Sequence, residues 1–162
     1  MIGAYFSLSS IFFLIIFLIL FFKKEKIKTV ETTIYGILIV LTLFGTLVDV
    51  TSGYLYFNNF DINSMLYGSL TKIMYIYFMT WSVLFFDYVY SISIKKNIKI
   101  NRKILYAVLA LVSVITFILP VSFELKNESI TPIGIGLIVT YGFIFIFLLL
   151  SLVLTIKNIK NL

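Results

Sequence analysis

The chain has 162 residues, of which 61% are hydrophobic and only 12% charged, with neither Cys nor His. Its mean hydropathy of +1.11 is too high for a water-soluble fold, whose residues run to roughly half apolar and a quarter charged, so lipid has to be the solvent for much of it. The missing Cys and His exclude disulfides, thiolate or imidazole metal ligands and the corresponding catalytic nucleophiles and bases. The net charge of +6 does not signal nucleic acid, because the lysines sit beside apolar runs and leave no basic face free of a bilayer.

The first apolar run predicts a helix over residues 4–22, ending at Lys23, Lys24, Glu25 and Lys26. No positive charge precedes it and no small-residue cleavage site follows, so it reads as a retained helix with its N-terminus outside rather than as a signal peptide. A second helix is expected over residues 33–57, followed by a connection without Lys or Arg. The third and longest, residues 65–94, ends in the most basic segment of the chain, Lys95 to Lys103. The fourth covers residues 104–119, or begins earlier near Ile98, since the shorter stretch barely crosses about 30 Å of hydrocarbon; Pro120 stops it. Residues 121–131 read as a short acidic loop with Glu124 and Glu128. Pro132 opens a fifth helix over residues 132–156, where proline suits a first helical turn.

Of the 13 Lys and Arg, only Lys72 and Lys126 lie in segments read as outer, and all the others flank the connections read as cytoplasmic. That asymmetry predicts an all-α, multi-pass integral membrane protein with five transmembrane helices, N-terminus outside and C-terminus in the cytoplasm. Continuous rather than alternating apolar runs exclude a β-barrel. Tyr54, Tyr56, Tyr67 and Tyr75 fall at the outer interface and Tyr35, Tyr88, Tyr90 and Tyr106 at the inner one, an aromatic belt at each headgroup level. The Lys-, Asn- and Ile-rich composition with one Arg suits an AT-rich genome and places the chain in a bacterial plasma membrane.

Ionisable groups within membrane spans are costly and point to function. Asp49 lies on a small, polar helix face with Thr42, Gly45, Thr46, Ser52 and Gly53, at spacings of three and four. One reading is a packing seam in which Gly45 and Gly53 let helices approach and hydroxyls bond across the contact. The other is a sensing pocket open to the outside, with Lys72 at a compatible depth to pair with Asp49. Asp87, near the inner end of helix three, reads as a structural carboxylate neutralised by a Lys or Arg of the following basic segment. Met74, Tyr77 or Phe78, Trp81, Phe85 and Tyr88 form an aromatic stripe that reads as packing before it reads as a ligand wall. Gly134, Gly136 and Gly142 loosen helix five or admit a neighbour, and Ser113 and Thr116 are expected to bond back to their own helix. No catalytic constellation, metal motif or phosphate loop occurs, so neither enzymatic activity nor a cofactor is expected.

The segments FFLIIFLILFFKKEK, LTLFGTLVDVTSGYL, LTKIMYIYFMTWSVLFFDYVY and ILPVSFELKNESITPIGIGLIVTYGF, in that order, resemble the N-terminal membrane region of Firmicutes-type sensor histidine kinases and of related GGDEF diguanylate cyclases. The resemblance implies a sensory input region that passes an extracellular or intramembrane stimulus to a cytoplasmic kinase or cyclase domain, in cis or in trans, within a homodimer. The phosphoacceptor His and the GGDEF sequence are absent, so the chain is expected to be a fragment whose output domain lies beyond Leu162. The competing expectations are a small transporter or permease subunit, which the lack of an internal repeat disfavours, and a structural membrane protein whose partner is the bilayer alone.

Overall fold

In the computed structural model of the chain, residues 2–23, 29–57, 64–93, 101–126 and 129–159 are described. They form five helices and one hairpin in the order α1 (Ile2–Lys23), α2 (Val30–Phe57), α3 (Met65–Ser93), α4 (Arg102–Ile118), β1 (Ser122–Lys126), β2 (Ser129–Ile133) and α5 (Ile135–Ile159). Three of the helices, α2, α3 and α5, are long and apolar enough to cross a membrane, and α1 contributes a further apolar stretch, Ser9–Lys23. At 1.5 Å per residue the 28 residues of α2 span about 42 Å, against about 30 Å of hydrocarbon.

The helix ends follow local chemistry. Asn101 caps α4, its side-chain oxygen accepting from the Lys103 amide at 3.1 Å and satisfying an N-terminal donor. This cap sets the start of α4 at Arg102; the alternative start near Ile98 falls outside the described residues. Pro120 lies two residues past Ile118, where the helix ends as expected.

The acidic connection differs from the expected loop. Residues 122–126 and 129–133 pair as an antiparallel hairpin, with Glu124 opposite Thr131 and Phe123 opposite Pro132, so one short hairpin interrupts an otherwise helical chain. Polar and apolar residues alternate along Ser122–Lys126, the period of a half-buried strand rather than of a loop. Pro132 therefore belongs to β2 rather than opening α5, which starts at Ile135. Gly134 makes the turn between them with φ +141°, and a Cβ there would approach the Pro120 carbonyl oxygen at 2.9 Å. Only glycine takes that backbone conformation without strain.

Helix α3 is the hub, packed against α2, α4 and α5, while α1 lies against α2. One side of α3 supplies Met79, Val83 and Phe86 to a core with Leu109 of α4 and Phe147 of α5. Another places Leu84 against Ile34 and Leu38 of α2. The rings of Phe21, Tyr35 and Tyr88 meet in sequence, centroids 5.4 and 5.9 Å apart, and link α1, α2 and α3. The Thr140 and Ser151 hydroxyls of α5, both buried, donate to their own helix at Gly136 and Phe147, and the described contact of α5 with the hub is apolar. Thr116 departs from the expected back-bonding: its hydroxyl is fully buried and meets no partner among the described residues, while its methyl group faces Gly136 of α5.

Candidate functional site

The antiparallel run of α2 against α3 turns the small polar face of α2 toward α3. Thr42 donates to the Leu38 carbonyl at 2.7 Å and accepts the Trp81 indole N–H at 3.2 Å. One turn further along, the Tyr77 ring lies over Gly45, where any Cβ would overlap it. Trp81 stacks on Phe85 with centroids 5.2 Å apart and an interplanar angle of 7°. The aromatic stripe is thus the α3 side of a close-packed seam, where glycine and threonine allow the approach. Thr46 donates back to the Leu43 carbonyl at 2.8 Å. Gly53 does not share in the seam: among the described residues no atom of a neighbouring element lies within 4 Å of the position its Cβ would take.

The seam opens toward the hairpin into a cavity of about 200 Å³. Asp49 and Ser52 of α2 form one wall, and Tyr67, Thr71, Tyr75 and Phe78 of α3 form another. The α5 side is closed by Thr140 and Tyr141. The cross-strand pair Phe123 and Pro132 covers the end, with the Phe123 ring edge-on to Tyr67 at 5.2 Å. The hairpin that the sequence does not announce thus shapes this cavity. Asp49 is exposed at its rim, whereas Tyr75 is 6% exposed and its hydroxyl meets no partner among the described residues.

Lys72 is turned away from Asp49. Its ammonium donates to the Phe117 carbonyl of α4 at 2.8 Å and sits 5.5 Å from the centre of the Phe117 ring. The expected pairing was inferred from depth alone, and depth says nothing about direction: neighbouring helix positions differ by about 100°. With Thr71 facing the cavity, Lys72 faces α4.

A second polar cluster lies at the opposite end of α3. Asp87, 2% exposed, receives Arg102 Nε on Oδ1 at 2.9 Å and the Tyr106 hydroxyl on Oδ2 at 2.8 Å. Arg102 Nη2 also donates to Ser91 Oγ at 2.7 Å, and Ser91 donates back to the Asp87 carbonyl at 2.8 Å. Asp87 and Ser91 are four apart on α3, and Arg102 and Tyr106 four apart on α4, so two helical faces meet as matched pairs. The expected neutralisation of Asp87 from the basic segment holds, with Arg102 as the partner. The guanidinium serves both acceptors at once from two nitrogens, Nε and Nη2, held in one rigid plane.

A third feature is an apolar groove of about 390 Å³ between α1 and α2, lined by Phe21, Phe22, Gly36, Ile37 and Val40 with Thr32 and Thr33. Among the described residues no three His, Cys, Asp or Glu side chains gather as metal ligands would. No family model, curated protein or solved structure matches the chain.

Proposed function

We propose that this chain is the membrane-embedded input region of a bacterial signalling protein, oriented with the hairpin end outside and the Asp87 end at the cytoplasm. The alternation of basic and non-basic connections supports that orientation. The observation that carries the reading is the position of α3, which walls an open cavity at one end and holds the buried Asp87 carboxylate paired with Arg102 at the other. Tyr75 and Asp87 are twelve positions apart, about 18 Å along a helix.

The contacts divide the bundle into fixed and adjustable parts. Helices α3 and α4 are tied at both ends, by Lys72 on Phe117 and by Asp87 on Arg102 and Tyr106. Helices α2 and α5 flank this pair, α5 through apolar packing and α2 through apolar packing with the single Trp81–Thr42 side-chain bond described above, and they supply opposite walls of the cavity. An occupant would change the spacing of α2 and α5 around the α3–α4 pair. Helix α5, the last described element, extends to Ile159, and in this reading its displacement is the signal passed to a kinase or cyclase module. Such a response requires the occupant to favour one spacing over the other.

The test is the coding sequence downstream of Leu162. A kinase or cyclase module continuing in frame from α5, or encoded beside it, supports the reading. A stop codon with no signalling partner nearby overturns it in favour of a transport or structural role.

A further inference from the structure

We infer that the hairpin-end cavity binds a small organic ammonium ion, held by Asp49 and an aromatic wall. The inference rests on the input reading only for the side of the membrane to which the cavity opens.

Charge gives the first argument. Among the described residues the lining contains the Asp49 carboxylate and no Lys or Arg; the basic side chain of α3, Lys72, is directed to α4. The hydroxyl groups give the second. Ser52, Thr71 and Thr140 commit their protons to the helix carbonyls of Val48, Tyr67 and Gly136 at 2.8–3.0 Å. Their oxygens therefore face neighbours only as acceptors. An anion would meet a carboxylate and three acceptors, with only the phenol O–H groups of Tyr67, Tyr75 and Tyr141 to donate to it, whereas a cation meets the carboxylate, the hydroxyl oxygens and the ring faces, all of which attract it.

The aromatic lining separates an organic cation from a metal ion. Tyr67, Tyr75, Phe78, Phe123 and Tyr141 contribute five rings. Ring faces attract alkylammonium groups by cation–π interaction, more strongly in a desolvated site, and bury their methyl groups. A bare alkali or alkaline-earth ion prefers a shell of oxygens. Size sets the upper bound: about 200 Å³ equals roughly seven waters at ~30 Å³ each and falls below the ~300 Å³ at which drug-sized pockets begin. A tetramethylammonium or choline-sized ion matches that space, and a polyamine chain or a peptide does not.

The test is equilibrium binding of choline to the full chain in lipid nanodiscs, beside its uncharged carbon isostere dimethylbutanol and beside sodium. Choline is expected to bind saturably, with dimethylbutanol weaker by about tenfold or more. Asp49→Asn should weaken choline by about tenfold, which equals ~1.4 kcal/mol, and leave the isostere unchanged. Phe123→Leu changes only the hairpin cover and should also weaken choline, so the inference stays testable if the Asp49 variant misfolds. Equal binding of choline and isostere, a response to sodium but not to choline, or no saturable binding by folded protein would each overturn it. Failure here beside an in-frame output domain would leave the input reading standing. Choline binding without any signalling partner would do the reverse.

Discussion

Replacing Arg102 with Met removes the guanidinium and keeps most of the apolar stem. The buried Asp87 carboxylate then retains the Tyr106 hydroxyl as its cross-helix donor and loses the other. A hydrogen bond to a charged group is worth about 1.5–3 kcal/mol, and deleting one partner of a fully buried pair costs about 3–5 kcal/mol. The Arg102 side chain is 38% exposed while Asp87 is 2% exposed. Water therefore reaches the pair from one side and replaces part of the loss, so the expected cost is about 2 kcal/mol, roughly a thirtyfold change in the unfolding equilibrium. Asp87→Asn removes the charge that calls for Arg102, and in that background Arg102→Met should cost less than about 1 kcal/mol. The difference is the coupling of the pair. The assay is reversible unfolding in mixed micelles, followed by circular dichroism and by Trp81, the single tryptophan of the chain. A penalty for Arg102→Met below about 0.5 kcal/mol, or an equal penalty in the Asp87→Asn background, would refute the reasoning, because Arg102 would then not be serving the carboxylate.

Further predictions use the same preparation. Gly45→Ala forces the Tyr77 ring aside and should destabilise by about 1–3 kcal/mol. Gly53→Ala meets open space and should be neutral or stabilising by up to ~1 kcal/mol through helix propensity; equal effects at the two positions would show that the seam does not run as described. Thr42→Val leaves the Trp81 indole N–H without its acceptor, with an expected cost of about 1 kcal/mol and a shift of Trp81 emission to shorter wavelength. An unchanged spectrum would contradict the bond. Met79→Ala empties a fully buried position in the α3–α4–α5 core and should cost about 2–5 kcal/mol; unfolding within 1 kcal/mol of the parent chain would place the core elsewhere.

The helices are legible in the sequence because each is a continuous apolar run bounded by charge, proline or a cap. The hairpin is hidden by its own composition. Glu124, Glu128 and Pro132 read as an acidic loop and a helix start, and the pairing of Phe123 with Pro132 emerges only when α4 and α5 bring both strands together. The Thr42–Gly45–Asp49–Ser52 face is visible by its helical spacing, yet its partner residues Trp81 and Tyr77 depend on the register of α2 against α3. Lys72 shows the limit of depth-based pairing, since a residue can sit at the right height and point 100° away. The Asp87 cluster has a signal that sequence reading passed over: Asp87 and Ser91, then Arg102 and Tyr106, are matched four-residue spacings on either side of a short basic connection.

The side of the membrane to which the cavity opens and the proposed direction of signalling both depend on which end of the bundle faces out. The chain has no native cysteine, so one introduced cysteine reports one position without background. Ser122→Cys in the hairpin and Lys103→Cys in the first turn of α4 are both at exposed sites. Treating intact cells with a membrane-impermeant maleimide should label Ser122→Cys at once and Lys103→Cys only after permeabilisation. Labelling of Lys103→Cys in intact cells, with Ser122→Cys protected, would invert the bundle and contradict the account.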